Sequence, residues 1–274
     1  MALTSPRFMS SKKLNAASNN APPLRKGARG RSVHLVQFAL LDLGYAMPIS
    51  TGKAFSPDGI FGNETEGVVK SFQRSKHIKD DGEVGRNTMW HLDQAFVRPS
   101  HRVRVHFRSI ALTRVPFDQT IRNARTVYGQ YGIDFQFGTG ESMHLSPFQT
   151  ALFDRIDQGC RWNLNAGEYD QLHQLGSPCP NNEVKVYFVR QMRGVLGCGG
   201  HAPNRPAATV AAAAWRWDMA HEVGHVLLTS AFNPVHSPHA RNLMNAAPAN
   251  NAVIKVLTDA QVRQMRRHPC CVGV

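Results

Sequence analysis

His221-Glu222-Val223-Gly224-His225 sets two imidazoles four positions apart, with a carboxylate directly after the first. The surrounding pattern predicts a helix from Asp218 to Leu228, with Asp218 suited to the N-cap. Residues i and i+4 of a helix share a face, so both rings can reach one ion. Zinc accepts neutral imidazole nitrogen and keeps one position open in catalytic sites. Glu222 stands beside that position, where it can take a proton from a water attacking a carbonyl and pass it to the leaving amine.

A third protein ligand is required. No Glu follows Glu222, and Asp259 is the sole acid after it, near the start of another helix. Histidine is therefore favoured, with His236, His239 and His268 as candidates. Asn233-Pro234 is expected to stop the motif helix, letting the chain turn back and present His236 from a loop.

The elements that must position this helix follow a mixed pattern. Val103, Val105 and Phe107 alternate with Arg104, His106 and Arg108, as in a half-buried strand. Asp118 to Tyr131 carries Ile121, Ala124, Val127 and Tyr128 on one helical face. Residues 132–137 and 184–189 read as further strands, giving an α/β domain with a mixed twisted sheet over 103–274. Gly199-Gly200 to Ala214 is expected to supply an edge strand along which an extended peptide pairs.

The N-terminal third is different. Residues 1–23 lack periodicity and read as a flexible lead-in. Over 24–96, Asp58-Gly59-x-x-Gly62-x-x-Thr65 recurs as Asp81-Gly82-x-x-Gly85-x-x-Thr88. Each copy pairs a tight turn with a Thr where a helix can start. Val68, Val69 and Phe72 follow the first copy, and Trp90, Leu92 and Phe96 the second. Val33, Val36, Leu40 and Leu43 mark a helix ahead of both. That is a small all-α module of three helices, joined to the second domain by a linker at 97–102.

The chain has 274 residues and a net charge of +13, shared as +6 over residues 1–100 and +7 over the rest. Such a chain is drawn to anionic polymers. It shows neither a reading helix nor an aromatic-basic interleave for nucleic acid, no apolar run long enough for membrane insertion, and no visible signal peptide. Of the five cysteines, none forms a CxxC pair, which argues against a cysteine zinc site. Cys160 with Cys179, and Cys198 with Cys270 or Cys271, are the expected disulfides if the compartment is oxidising.

Two resemblances sharpen these readings. Leu24-Arg25-Lys26-Gly27, Gly30, Val33, Leu35-Val36-Gln37, Leu43-Gly44-Tyr45, Asp58 to Gly62, Thr65, Val69 and Phe72-Gln73 resemble the three-helix peptidoglycan-binding module of cell-wall hydrolases. The stretch Ala46–Ser56 is longer than that pattern has. The second domain resembles a metzincin-type zinc peptidase, in which a third histidine and a methionine-containing turn follow the HExxH helix. Met244 lies eight positions after His236 and five after His239, so the resemblance favours His236, in a zinc site of His221, His225 and His236 with Glu222 as general base. The third ligand arrives five residues later than the family pattern, which would place Gly at Leu228 and the ligand at Ala231. Thr258-Asp259-Ala260-Gln261 is a capping box opening a closing helix to about His268.

Together the resemblances imply a zincin-like fold and a wall-targeted zinc metallopeptidase acting on peptidoglycan peptides or envelope proteins. They imply secretion or delivery to a bacterial envelope, as an effector or lysin. The alternative is a peptidoglycan-binding protein with an idle zinc site; an intact Glu222 speaks against it.

Overall fold

The computed structural model describes residues 1–52, 57–246 and 253–274. The chain divides into two compact units: Met1–Pro99 with the short pieces Gly129–Gly132 and Thr258–Ala260, and the remainder.

The first unit is helical: α1 (Lys12–Ala17), α2 (Arg31–Asp42), α3 (Pro48–Thr51), α4 (Asn63–Ser75) and α5 (Arg86–Ala95). The extra stretch Ala46–Ser56 contributes α3, while its residues 53–56 lie outside the described ones. The two Asp-Gly turns are built alike. Gln37 accepts the Gly59 N–H at 2.8 Å, and its amide donates to Asp58, the Ile60 carbonyl and Thr65. Gln73 repeats this with Gly82, Asp81, the Glu83 carbonyl and Thr88. Gly59 and Gly82 sit at φ +68° and +77°, where a Cβ is strained. The helices are N-capped by Gly62 and Gly85, so Thr65 and Thr88 serve as buried acceptors within the first turn instead of as caps. Trp90 turns outward, 47% exposed, and Met89 takes the core position.

The lead-in is ordered structure, contrary to its sequence pattern. Leu3, Phe8, Leu14 and Ala17 join the same core as Val36, Phe72 and Leu92. Asp93 accepts the N–H groups of Thr4 and Ser5, each at 2.9 Å. The Arg7 guanidinium lies 3.9 Å from the Phe96 ring centroid and pairs with Asp42 at 2.6 Å. Polar clamps on scattered apolar anchors hold the segment, and neither leaves a periodic trace.

The second unit is a mixed α+β domain. Its strands are β1 (His101–Ser109), β2 (Ile133–Ser142), β3 (Arg155–Ile156), β4 (Val184–Val189), β5 (Gln191–Met192), β6 (Gly197–Cys198), β7 (Ala207–Ala211) and β8 (Val272–Gly273). The main sheet runs β2-β1-β4-β7-β6, with β8 beside β1, while β3 and β5 pair separately. Strands β2, β1, β4 and β7 are parallel; β6 and β8 are antiparallel to their neighbours. The expected linker 97–102 thus ends inside β1. Its helices are α6 (Phe117–Tyr128), α7 (Pro147–Phe153), α8 (Glu168–His173), α9 (Asp218–Leu228) and α10 (Asp259–Arg266).

Strand β1 alternates as its sequence predicts, yet both faces are covered: His106 and Arg108 are buried. His106 bonds to Glu183 and Thr139, and Arg108 pairs with Glu141 at 3.1 Å and donates to the Ser177 carbonyl. Partnered charges allow that face to be enclosed. The expected edge strand is shifted, because Ala207–Ala211 lies inside the sheet and the edge is β6. Helix α9 packs on β7, β6 and α6.

Candidate metal centre

Helix α9 carries the HExxH residues. Asp218 is its first residue, and its carboxylate accepts the Trp215 N–H at 2.8 Å instead of capping a helical N–H. The helix closes earlier than Asn233-Pro234, at Thr229 with φ +60°, whose N–H bonds to the His225 carbonyl. The Tyr128 hydroxyl donates to the Ala220 carbonyl at 2.8 Å, tying α6 to the motif.

His221, His225 and His236 come together, each offering a ring nitrogen within 4.8 Å of the others. His225 Nε2 stands 2.9 Å from His221 Nε2 and 3.1 Å from His236 Nε2. Ligand nitrogens about 2.0–2.1 Å from one tetrahedral ion stand about 3.3 Å apart, close to these separations. His221 Nδ1 lies 2.7 Å from the Leu243 carbonyl. Donation there leaves the Nε2 lone pair facing the cluster, the outer contact that orients a ligating imidazole. Neutral rings would then leave one N–H to serve two lone pairs, whereas one cation serves all three. The residues present therefore fit a zinc ion.

Partial burial favours the neutral form of these rings, the form that has a lone pair to offer. It lowers His225 to about 2, helped by the two neighbouring imidazoles, and His221 to about 4, and it lowers His236 as well. Glu222 is 7% exposed. Burial first, then the Asp218 charge, raises its carboxyl well above the ordinary value, while a Gly199 backbone hydrogen bond opposes the shift.

The loop bearing His236 is clipped to the segment that carries Met244. The Ser237 N–H donates to the Met244 carbonyl at 2.7 Å, and the Asn245 amide to the Ser237 carbonyl at 2.9 Å. Asn242, fully buried, accepts the Met244 N–H and exchanges hydrogen bonds with Gln261. His239 and His268 stand outside the cluster, as does Asp259. His239 lies on the exposed side of the same loop, and His268 Nδ1 accepts the Cys270 N–H at 3.1 Å.

The histidines and Glu222 border a cleft of about 930 Å³, lined also by Trp162, Leu196, Gly197, Gly199, Trp215 and Lys255. Cys160 is disulfide-bonded to Cys198, not to Cys179. The loop after Cys160 runs beside residues 199–202, with Leu164 bonded to the His201 carbonyl and His201 to the Trp162 carbonyl, and this brings Cys160 onto the edge strand. Cys179, Cys270 and Cys271 are free thiols, and burial pushes the last two up to about 12. Sequence spacing carried no signal for Trp162 or for this pairing, because both depend on where the loop crosses the sheet edge.

Residues 29–92 match the family model of the peptidoglycan binding domain. Among solved structures, the chain is similar to a peptidoglycan-binding protein from Clostridioides difficile in complex with glutamine hydroxamate. The identity is 31% over 27% of this chain and 42% of that one, with a TM-score of 0.24. It is also similar to an L,D-transpeptidase (residues 123–326) from Xylanimonas cellulosilytica, with 27% identity over 31% of this chain and 40% of that one and a TM-score of 0.23. The chain spans less than half the length of either. The family match makes the N-terminal unit a peptidoglycan-binding module, which goes with association with the cell wall. No described helix is long and apolar enough to cross a membrane.

Proposed function

We propose that this chain is a wall-directed zinc metallopeptidase of zincin-like, metzincin-related fold, secreted or delivered to a bacterial envelope. The convergence of His221, His225 and His236 carries the reading, with Glu222 on the same helix at the cleft. The placement of Met244 beneath that helix supports the metzincin relation.

His221, His225 and His236 would hold the ion, and a bound zinc supplies Lewis acidity toward a peptide carbonyl. The chain does the rest. Glu222 accepts a proton from water as it adds to the carbonyl carbon, then delivers that proton to the departing amine nitrogen. The Leu243 carbonyl keeps His221 in one tautomer. The N-terminal module holds the enzyme on its polymer, raising the local concentration of wall peptides and envelope proteins without a new catalytic contact.

Incubation of the full chain with purified sacculi and with a generic protein substrate, followed by mass spectrometry, tests the reading. Peptide-bond cleavage that Glu222→Gln abolishes, with the fold and zinc content retained, is the expected result. Cleavage undiminished in that variant removes Glu222 from its role.

A further inference from the structure

Three cations from three separate segments line the cleft, Arg161, Arg216 and Lys255, against two carboxyl groups, Asp218 and Glu222, both on α9. Lys255 is engaged: its ammonium donates to the Ala240 carbonyl at 2.6 Å and faces the charge of Asp218. The two arginines are left over. Arg216 lies over the Trp217 ring and donates to the neutral Asn123 at 3.0 Å. Arg161 is exposed and has no acidic partner among the described residues.

The position of Arg161 is set by its neighbours. Cys160 anchors it to Cys198 on the edge strand, and Trp162 sits edge-on to His225 with ring centroids 5.6 Å apart. The segment therefore reaches the histidine cluster while its guanidinium stays in water. Trp217, also a lining residue, carries a buried indole N–H without a partner among the described residues. Cations without acids, flanked by Trp162 and Trp215, complement a peptide with an anionic side chain.

We propose that the cleft selects peptides bearing a carboxylate near the bond to be cut, with Arg161 and Arg216 as the recognising groups. The free carboxylates of peptidoglycan stem peptides are the source that the N-terminal module brings within reach. This inference rests on the peptidase reading above.

Binding separates the two claims. Zinc-loaded, full-length Glu222→Gln is titrated by fluorescence anisotropy with a labelled acidic peptide and its Gln-substituted twin, at two salt concentrations. The acidic peptide binds roughly five- to tenfold tighter at low salt and loses that advantage at high salt. Arg161→Ala and Arg216→Ala each shrink the ratio about two- to fivefold, and Arg161→Lys keeps most of it. Equal binding of the twins, or a ratio unchanged in the double Arg161→Ala Arg216→Ala variant, overturns the proposal. Wild-type turnover is read separately. A preserved acid preference with neither twin cleaved overturns the peptidase reading alone, and cleavage of both at one kcat/KM overturns the selection alone. Faster cleavage of an acidic protein segment than of released stem peptides overturns the assignment to wall peptides.

Discussion

The Met244 sulfur lies so close to Gly224 that a Cβ on that glycine would come within 2.6 Å of it. Met244 is fully buried, and its backbone carbonyl holds the loop that presents His236. The contact links the HExxH helix to the third histidine through one thioether. Gly224→Ala must displace the sulfur, an overpacking cost of about 1–3 kcal/mol, offset by about 1 kcal/mol of helix propensity. Thermal stability should fall by only a few degrees, while zinc affinity falls about 10–100-fold as His236 shifts. Equilibrium dialysis checks this, and adding Met244→Ala should recover part of the affinity.

The Cys160–Cys198 bond spans 38 residues and fixes the Arg161–Trp162 wall to β6. Cys198→Ala should lower unfolding free energy by about 2–4 kcal/mol, measured in urea. Non-reducing peptide mapping should recover 160 joined to 198. A 160–179 pair would contradict the fold around the cleft.

Gln37 and Gln73 each bind a turn glycine, an aspartate, a carbonyl and a threonine hydroxyl. Truncating either to Ala leaves buried groups unpaired, which costs about 1–3 kcal/mol per site. The two losses should be similar, because the two turns are built alike. Thermal unfolding of each variant tests that equality, and a neutral Gln73→Ala would break it.

His173 is fully buried between Tyr169 and Tyr187, bonded to Thr209, with His201, Arg205 and Lys185 as its basic neighbours. Burial, aided by those neighbours, lowers it to about 3 from an ordinary 6.5. The folded chain thus resists a proton that the unfolded chain accepts. The stability this group contributes is complete above about pH 6.5 and is lost as pH falls toward 3, by at most about 1.4 kcal/mol per pH unit. His173→Gln should flatten the slope of unfolding free energy between pH 6 and 4.5 by roughly one proton. An unchanged slope would mean that His173 titrates alike in both states.

Much of the candidate site was legible because its chemistry is local. HExxH spacing placed two imidazoles on one helix face with Glu222 beside them, and the resemblance to the metzincin pattern, through the position of Met244, favoured His236 over His239. The repeated Asp-Gly turns announced the N-terminal module, although the glutamines that lock them appeared only as landmarks of a resemblance. What stayed hidden depends on distant contacts. Asp93 pins Thr4 and Ser5 across more than eighty residues, so an aperiodic segment became part of a core. Cys160 found Cys198 because a loop crosses the sheet edge, and Arg108 could be buried because Glu141 comes to meet it.

Metal analysis of the purified full chain tests the central claim most directly. Wild type should hold about one zinc per chain; His221→Ala, His225→Ala and His236→Ala should each lose it, and His239→Ala should keep it. A folded wild-type chain that takes up no zinc, or a His236→Ala chain that binds it as tightly as wild type, would contradict the account.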